Sequence, residues 1–298
     1  MDDDPLSEVL ALVKPRFSVA AALDAGGRWS IQFPGENQIR LQAVMSGDCW
    51  LEADDLAQPI RLNAGDCFLS VAGRFRLAGD LAAPSVPAYP IFAAKRGGVA
   101  VHQGGGAFLG LGCLFALDDA HARLLAELLP RTMLIESARA QARLRTLLDR
   151  MFEEARTPRP GSRLAMQHLS QMILIEALRL HMADDMAPAT GWLAAFRDRR
   201  LAPVLAAVHH RPDHRWTLQA LAACAGMSRT SFAACFREMV GLAPIEYLTR
   251  WRMLRAADAL RTGSDSVAEI ARAAGYASES AFGVAFKRVM GRSPRRGI

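Results

Sequence analysis

One pattern occurs twice in the last 85 residues, and it limits the fold more than any other feature. Leu218–Ser228 reads LQALAACAGMS, and Val267–Ala277 reads VAEIARAAGYA, 49 positions later. One extra residue then enters the second copy. Beyond it Ser228, Phe232, Phe236, Gly241 and Pro244 are matched by Ser278, Phe282, Phe286, Gly291 and Pro294, each 50 positions on. Each copy has what two helices joined by a sharp turn require. Ala222 and Ala271 leave room where the helices cross. Gly226 and Gly275 suit a left-handed residue at the helix end. Met227 and Tyr276 are apolar plugs, and Ser228 and Ser278 suit helix caps. The phenylalanine pairs pin the second helix to a core and leave its opposite face free.

That free face points to a groove in DNA. Residues 190–298 hold 17 Lys/Arg against 8 Asp/Glu, a net +9, whereas residues 1–189 hold 19 against 22. The positive charge therefore travels with the repeat, as expected of a part that binds a polyanion. Between the copies Ile245–Arg261 reads as a helix of about 25 Å at 1.5 Å per residue. With the bodies of the two units added, their recognition helices would lie about 34 Å apart, one turn of B-DNA.

The linker helix and second copy resemble the AraC/XylS family of bacterial regulators. The resemblance is carried by Gly241–Leu260 (GLAPIEYLTRWRMLRAADAL), Val267–Tyr276 and Phe286–Pro294 (FKRVMGRSP). It implies recognition helices near Arg229–Val240 and Glu279–Met290. Candidate DNA contacts in the first are Arg229, Thr230, Ser231, Ala233, Ala234 and Arg237. In the second they are Ser278, Glu279, Ser280, Gly283, Val284 and Lys287. Family members often carry Arg or Gln where this chain has Ala234 and Val284, so its base-reading code departs from the common one. Thr217 and Ser266 are expected to cap the first helix of each unit beside phosphate, and Arg292, Arg295 and Arg296 to form a basic tail.

Upstream, residues 17–115 read as short strands: Trp29–Phe33, Ile39–Met45, Cys49–Ala53, Cys67–Val71 and Phe108–Phe115, separated by Gly, Asp and Pro. With Gly47–Leu51 and Leu62–Leu69, this part resembles cupin-type sensor domains. From Asp118 onward the pattern turns helical, with leucine faces at 120–156 that suit either packing on the barrel or a dimer contact. Leu164–Met182 reads as a further helix with Leu169, Met172, Ile173, Ile175, Ala177 and Leu180 largely buried, and residues 184–191 as a linker. The expected fold class is α+β: a cupin-like β-barrel sensor with appended helices over 1–189, then an all-α domain with two helix-turn-helix units over 190–298.

The expected function is sequence-specific DNA binding in transcription regulation, with an unidentified signal entering through the N-terminal domain. Double-stranded DNA is the expected partner, with a small-molecule or redox effector and a homodimer as further candidates. The competing class is a cupin-type metal enzyme. It needs clustered histidines and a carboxylate around one metal. The corresponding stretch holds Glu36, Asn37, Gln38, Arg40 and Gln42, and no histidine precedes His102. No catalysis, cofactor or metal is therefore expected. His209, His210 and His214 lack ligand partners at suitable spacing and read as a wet loop. Cys49 and Cys67 follow similar turns and are either core residues or a redox pair. An acidic N-terminus and the lack of an 18-residue apolar run suit a cytoplasmic protein.

Overall fold

The computed structural model describes residues 4–13, 16–35, 38–95, 98–117, 129–136, 142–183, 191–263 and 265–294. They divide into two compact units. One is rich in strands and comprises described residues from 16–117 and 130–183. The other is helical and comprises those from 4–13, Leu129 and 191–294.

The strand-rich unit holds β1 (Arg16–Ala25), β2 (Ser30–Phe33), β3 (Gln38–Ser46), β4 (Asp48–Ala53), β5 (Ile60–Asn63) and β6 (Cys67–Val71). It continues with β7 (Phe75–Ala78), β8 (Val86–Pro87), β9 (Val99–His102), β10 (Phe108–Ala116) and β11 (Thr132–Ile135). The strands form two sheets, ordered β11-β6-β3-β10-β1-β9 and β5-β4-β7-β2-β8, rather than one closed cylinder. Pairing is antiparallel except for β1 with β9 and β2 with β8. Trp29, Ile31, Phe33, Leu51, Phe68, Phe75 and Phe108 belong to one core built from both sheets. The Phe33 and Phe75 rings stack at 4.6 Å, and Phe68 meets Phe75 edge-on at 5.1 Å.

β6 is buried at every position, so it lacks the half-polar alternation of a strand with one wet face. Its sheet is backed by helices α3 (Ala142–Arg156) and α4 (Ser162–Ala183), which pack on each other and on β1. A six-residue helix, α2 (Ala88–Ala93), lies between β8 and β9.

Three sequence expectations change here. Thr132–Ile135 falls in a stretch read as helical, yet it is an edge strand paired with Cys67–Ser70. The inward face of α4 is also only partly as expected: Ile173 and Ala177 are buried as read, but with Leu174 and Leu178 in place of Met172 and Leu180. Met172 is 53% exposed and Leu180 only half-buried. This helix is apolar on nearly all sides, so periodicity alone cannot orient it. Thirdly, the leading helix α1 (Pro5–Val13) packs in the helical unit rather than with the strands. Leu124, Leu125 and Leu128, and most of the expected linker, lie outside the described residues.

The helical unit contains α1, α5 (Trp192–Ala195), α6 (Ala202–His210), α7 (Leu218–Cys224), α8 (Arg229–Val240), α9 (Pro244–Thr262), α10 (Val267–Ala273) and α11 (Glu279–Met290). The long α9 packs against α7 and α8 on one side of the repeat and α10 and α11 on the other. No helix among the described residues is long and apolar enough to cross a membrane.

Candidate nucleic-acid interface

The two repeat copies fold alike, down to single hydrogen bonds. At the end of α7, Gly226 has φ +63°, its N–H donates to Ala223 O at 3.0 Å, and Met227 N–H donates to Ala222 O at 2.9 Å. At the end of α10, Gly275 has φ +78°, its N–H donates to Arg272 O at 2.9 Å, and Tyr276 N–H donates to Ala271 O at 2.9 Å. This pair of bonds closes a helix with a left-handed residue and satisfies carbonyls that would otherwise lack partners. The chain leaves each turn at a set angle.

A serine then starts each recognition helix. Ser228 Oγ accepts from Ser231 N–H, and Ser278 Oγ accepts from Ala281 N–H, both at 3.2 Å. Phe232, Phe236, Phe282 and Phe286 are all fully buried, with ring separations of 5.6 Å and 5.5 Å within the pairs. Those anchors fix which face of α8 and α11 turns outward. Gly241 and Gly291, both left-handed, stop the two helices at equivalent places.

The outward faces carry the residues singled out from sequence. On α8, Arg229, Thr230, Ser231, Ala234 and Arg237 are exposed and Ala233 half-buried. On α11 and its cap, Ser278, Glu279, Ser280, Val284 and Lys287 are exposed and Gly283 half-buried. Thr217 caps α7 by accepting from Ala220 N–H at 3.1 Å. Ser266 caps α10 within a reciprocal box, in which Ser266 N–H donates to Glu269 Oε2 at 2.7 Å. Arg292 is exposed just beyond α11, whereas Arg295 and Arg296 lie outside the described residues.

Sequence reading missed two groups. Arg252, on α9, donates from Nε to Pro212 O at 2.6 Å and from Nη2 to His214 O at 2.8 Å. The same guanidinium sits 2.9 Å from where a Cβ on Gly275 would lie. One side chain thus grips the approach to the first unit and touches the turn of the second. Burial lowers its pKa from the ordinary arginine value.

The second group centres on His209, which is buried in α6 with the exposed His210 as that helix's last residue, so the wet-loop expectation holds only for the exposed His214. Its ring stacks on Trp251 at 3.9 Å, and Nε2 lies 2.6 Å from Tyr247 Oη. Tyr247 Oη in turn accepts from Trp192 Nε1 at 2.8 Å. His209 Nδ1 faces Glu8 of α1 at 3.5 Å. Burial outweighs Glu8 and lowers the His209 pKa, while the facing His209 ring lowers that of Glu8. A His and a Glu about 200 residues apart give no local signal in sequence.

The strand-rich unit has a small apolar cavity among Leu23, Phe33, Val44, Phe68, Phe92 and Phe108, with room for about one water molecule. Gln42 brings an amide to this lining, and Cys49 lies on its wall. Cys67 does not share that wall. Phe68 next to it faces the cavity, so strand alternation turns Cys67 to the other side of the six-stranded sheet. Both thiols are free and buried, and burial pushes each pKa up to about 12. Almost no thiolate is then present near neutral pH, unlike in a reactive thiol. Of the two readings of Cys49 and Cys67, their burial favours core residues over a redox pair.

Comparison with known proteins bears on the whole chain. A cupin family matches residues 4–183, and a helix-turn-helix domain family matches residues 221–296. An AraC-like transcription regulator of Streptomyces lividans is 38% identical over 98% of this chain and 96% of its own length. One of Streptomyces antibioticus is 40% identical over 98% and 97%. The crystal structure of the DNA-binding domain of AdpA in complex with a target DNA is 38% identical, with a TM-score of 0.30, over 31% of this chain and 84% of that one. Similarity at this level along nearly the full length places the chain in the AraC-like family of DNA-binding transcription regulators.

Proposed function

We propose that this regulator presents α8 and α11 to two successive major grooves, and that the strand-rich unit senses a small effector. The repetition of turn, serine cap and phenylalanine anchors carries the DNA reading, because it leaves two helices with equivalent free faces. Arg229, Thr230, Ser231, Ala233, Ala234 and Arg237 form the first contact surface. Ser278, Glu279, Ser280, Gly283, Val284 and Lys287 form the second. Arg229 has the donors to pair with guanine O6/N7, and Glu279 the acceptors to bond cytosine N4. Arg237, Lys287 and Arg292 suit phosphate, as do the amides beside Thr217 and Ser266. Each chain then makes one asymmetric footprint, because tandem units have no two-fold axis between them.

The division of labour is a sensor over 1–189 and DNA binding over 190–298, with α1 contributing to the helical unit. Of the two kinds of effector expected from sequence, a small molecule is preferred over an oxidant, because Cys49 and Cys67 are buried away from oxidants. The protein acts as a regulator rather than a catalyst, in the cytoplasm. Hydroxyl-radical footprinting of the full-length protein on a selected duplex tests the DNA reading. Two protected grooves about 10 bp apart are expected, and protection of a single groove would refute it. Repeating the footprint with candidate apolar effectors tests the sensing.

A further inference from the structure

The second recognition helix carries an unusual group at the centre of its free face. Val284 is 70% exposed, while Phe282, Ala285, Phe286 and Met290 bury the opposite side of α11. Ser280 precedes it by one turn, and Lys287 follows by nearly one turn. Beside it Gly283 has no side chain, and nothing lies within 4 Å of where its Cβ would be. The middle of the helix is therefore low and apolar, with charge at Glu279 and Lys287 on either side.

We propose that Val284 reads a thymine through its 5-methyl group. The inference rests on α11 entering a major groove, and it adds what is recognised there. Among the four bases, only thymine offers an apolar group at the major-groove edge. The others present N7, O6 or exocyclic amino groups that need hydrogen-bond partners. An isopropyl group has no donor or acceptor. Pressed against guanine, adenine or cytosine it would strip water from those atoms and return nothing. Against thymine it covers a methyl at no such cost. The bare Gly283 matters because a short side chain makes this contact only if the helix backbone comes close. The first unit has Ala233 and Ala234 at the matching positions. A single methyl reaches less far, so the dependence on thymine belongs mainly to the second unit.

The test uses the full-length protein and a duplex it selects from random sequence. Each thymine in the two protected grooves is replaced in turn by deoxyuridine, which removes the methyl and keeps base pairing. In the groove of the second unit, one replacement should weaken wild-type binding about fourfold, the worth of one buried methyl-sized group. The same replacement should leave Val284→Ala unchanged, because the methyl has already lost its partner. Val284 is exposed, so the variant should fold as the wild type does, and an unchanged thermal melt checks this. Equal deoxyuridine effects in both proteins on an intact two-groove footprint would overturn the valine assignment alone. A footprint without protection by the second unit would overturn the parent reading and this one with it.

Discussion

The two helix-turn-helix units share their internal structure and differ on their outer faces. Both turns use the same two backbone bonds, both recognition helices have serine caps, and both pairs of phenylalanines are buried. The free faces have diverged: Arg229, Ala234 and Arg237 in one, Glu279, Val284 and Lys287 in the other. What holds a helix in place is thus separate from what the helix reads. A duplicated scaffold can keep the first and change the second, and the two halves of the binding site need not resemble each other.

The largest effects should test the shared part. Phe232→Ala and Phe282→Ala each remove a fully buried ring and should cost about 3–5 kcal/mol. Urea unfolding of the two variants would break the comparison if one were near neutral. The glycines should then separate the units. Gly226 has open space around it, so Gly226→Ala should cost only the left-handed backbone penalty of about 1–2 kcal/mol. At Gly275 a Cβ would also meet Asp213 O at 2.8 Å and Arg252 Nη2 at 2.9 Å, so Gly275→Ala should cost more. Equal losses would mean that Arg252 yields freely.

Next come the faces themselves. Arg229→Ala and Glu279→Ala should each relax preference at particular base pairs by about 1–3 kcal/mol. Arg237→Ala and Lys287→Ala should weaken all sequences alike and reduce the salt slope by about one unit each. Site selection with each variant, followed by salt titration, sorts them. An unchanged selected sequence for both Arg229→Ala and Glu279→Ala would shift specificity to DNA shape.

The caps provide a smaller contrast. Thr217→Ala and Ser266→Ala should each cost about 1 kcal/mol. Ser266 is the dearer of the two, because its partner Glu269 also loses a bond. Finally, acidification should weaken the helical unit in two steps. His209 has a lowered pKa in the folded state, so the unfolded chain takes up its proton first and stability falls once pH drops below 6.5. Glu8 also has a lowered pKa. Its contribution is present above 4.5 and is lost as pH falls through the folded value. Glu8→Gln should remove the lower step, and urea midpoints measured across pH would show it.

The helical unit was legible because its rules are local. A glycine at a helix end, a serine two or three residues later and phenylalanines one turn apart specify their own surroundings. The strand-rich unit obeys longer rules. Thr132–Ile135 becomes a strand because β6 offers an open edge, and no feature within those four residues announces it. Helix α4 has apolar residues around most of its circumference, and what packs on it, rather than its own pattern, selects Leu174 and Leu178 over Met172. Cys49 and Cys67 look alike in sequence, each after a Gly-Asp turn, yet they belong to different sheets. Arg252 looks like one more basic residue on an exposed helix until the loop at 212–214 folds over it.

That arginine also sets a limit on modularity. Tandem repeats invite the idea that either copy could be lifted out and grafted elsewhere to build regulators with new targets. Here the guanidinium of Arg252 binds backbone that precedes the first copy and lies against the turn of the second. A chimera that exchanged residues 265–294 alone would place a foreign turn under this side chain. One that began at Thr217 would leave its two carbonyl partners behind. The smallest transplantable piece therefore starts before Pro212 and runs through the end of α11, with both readers moved together.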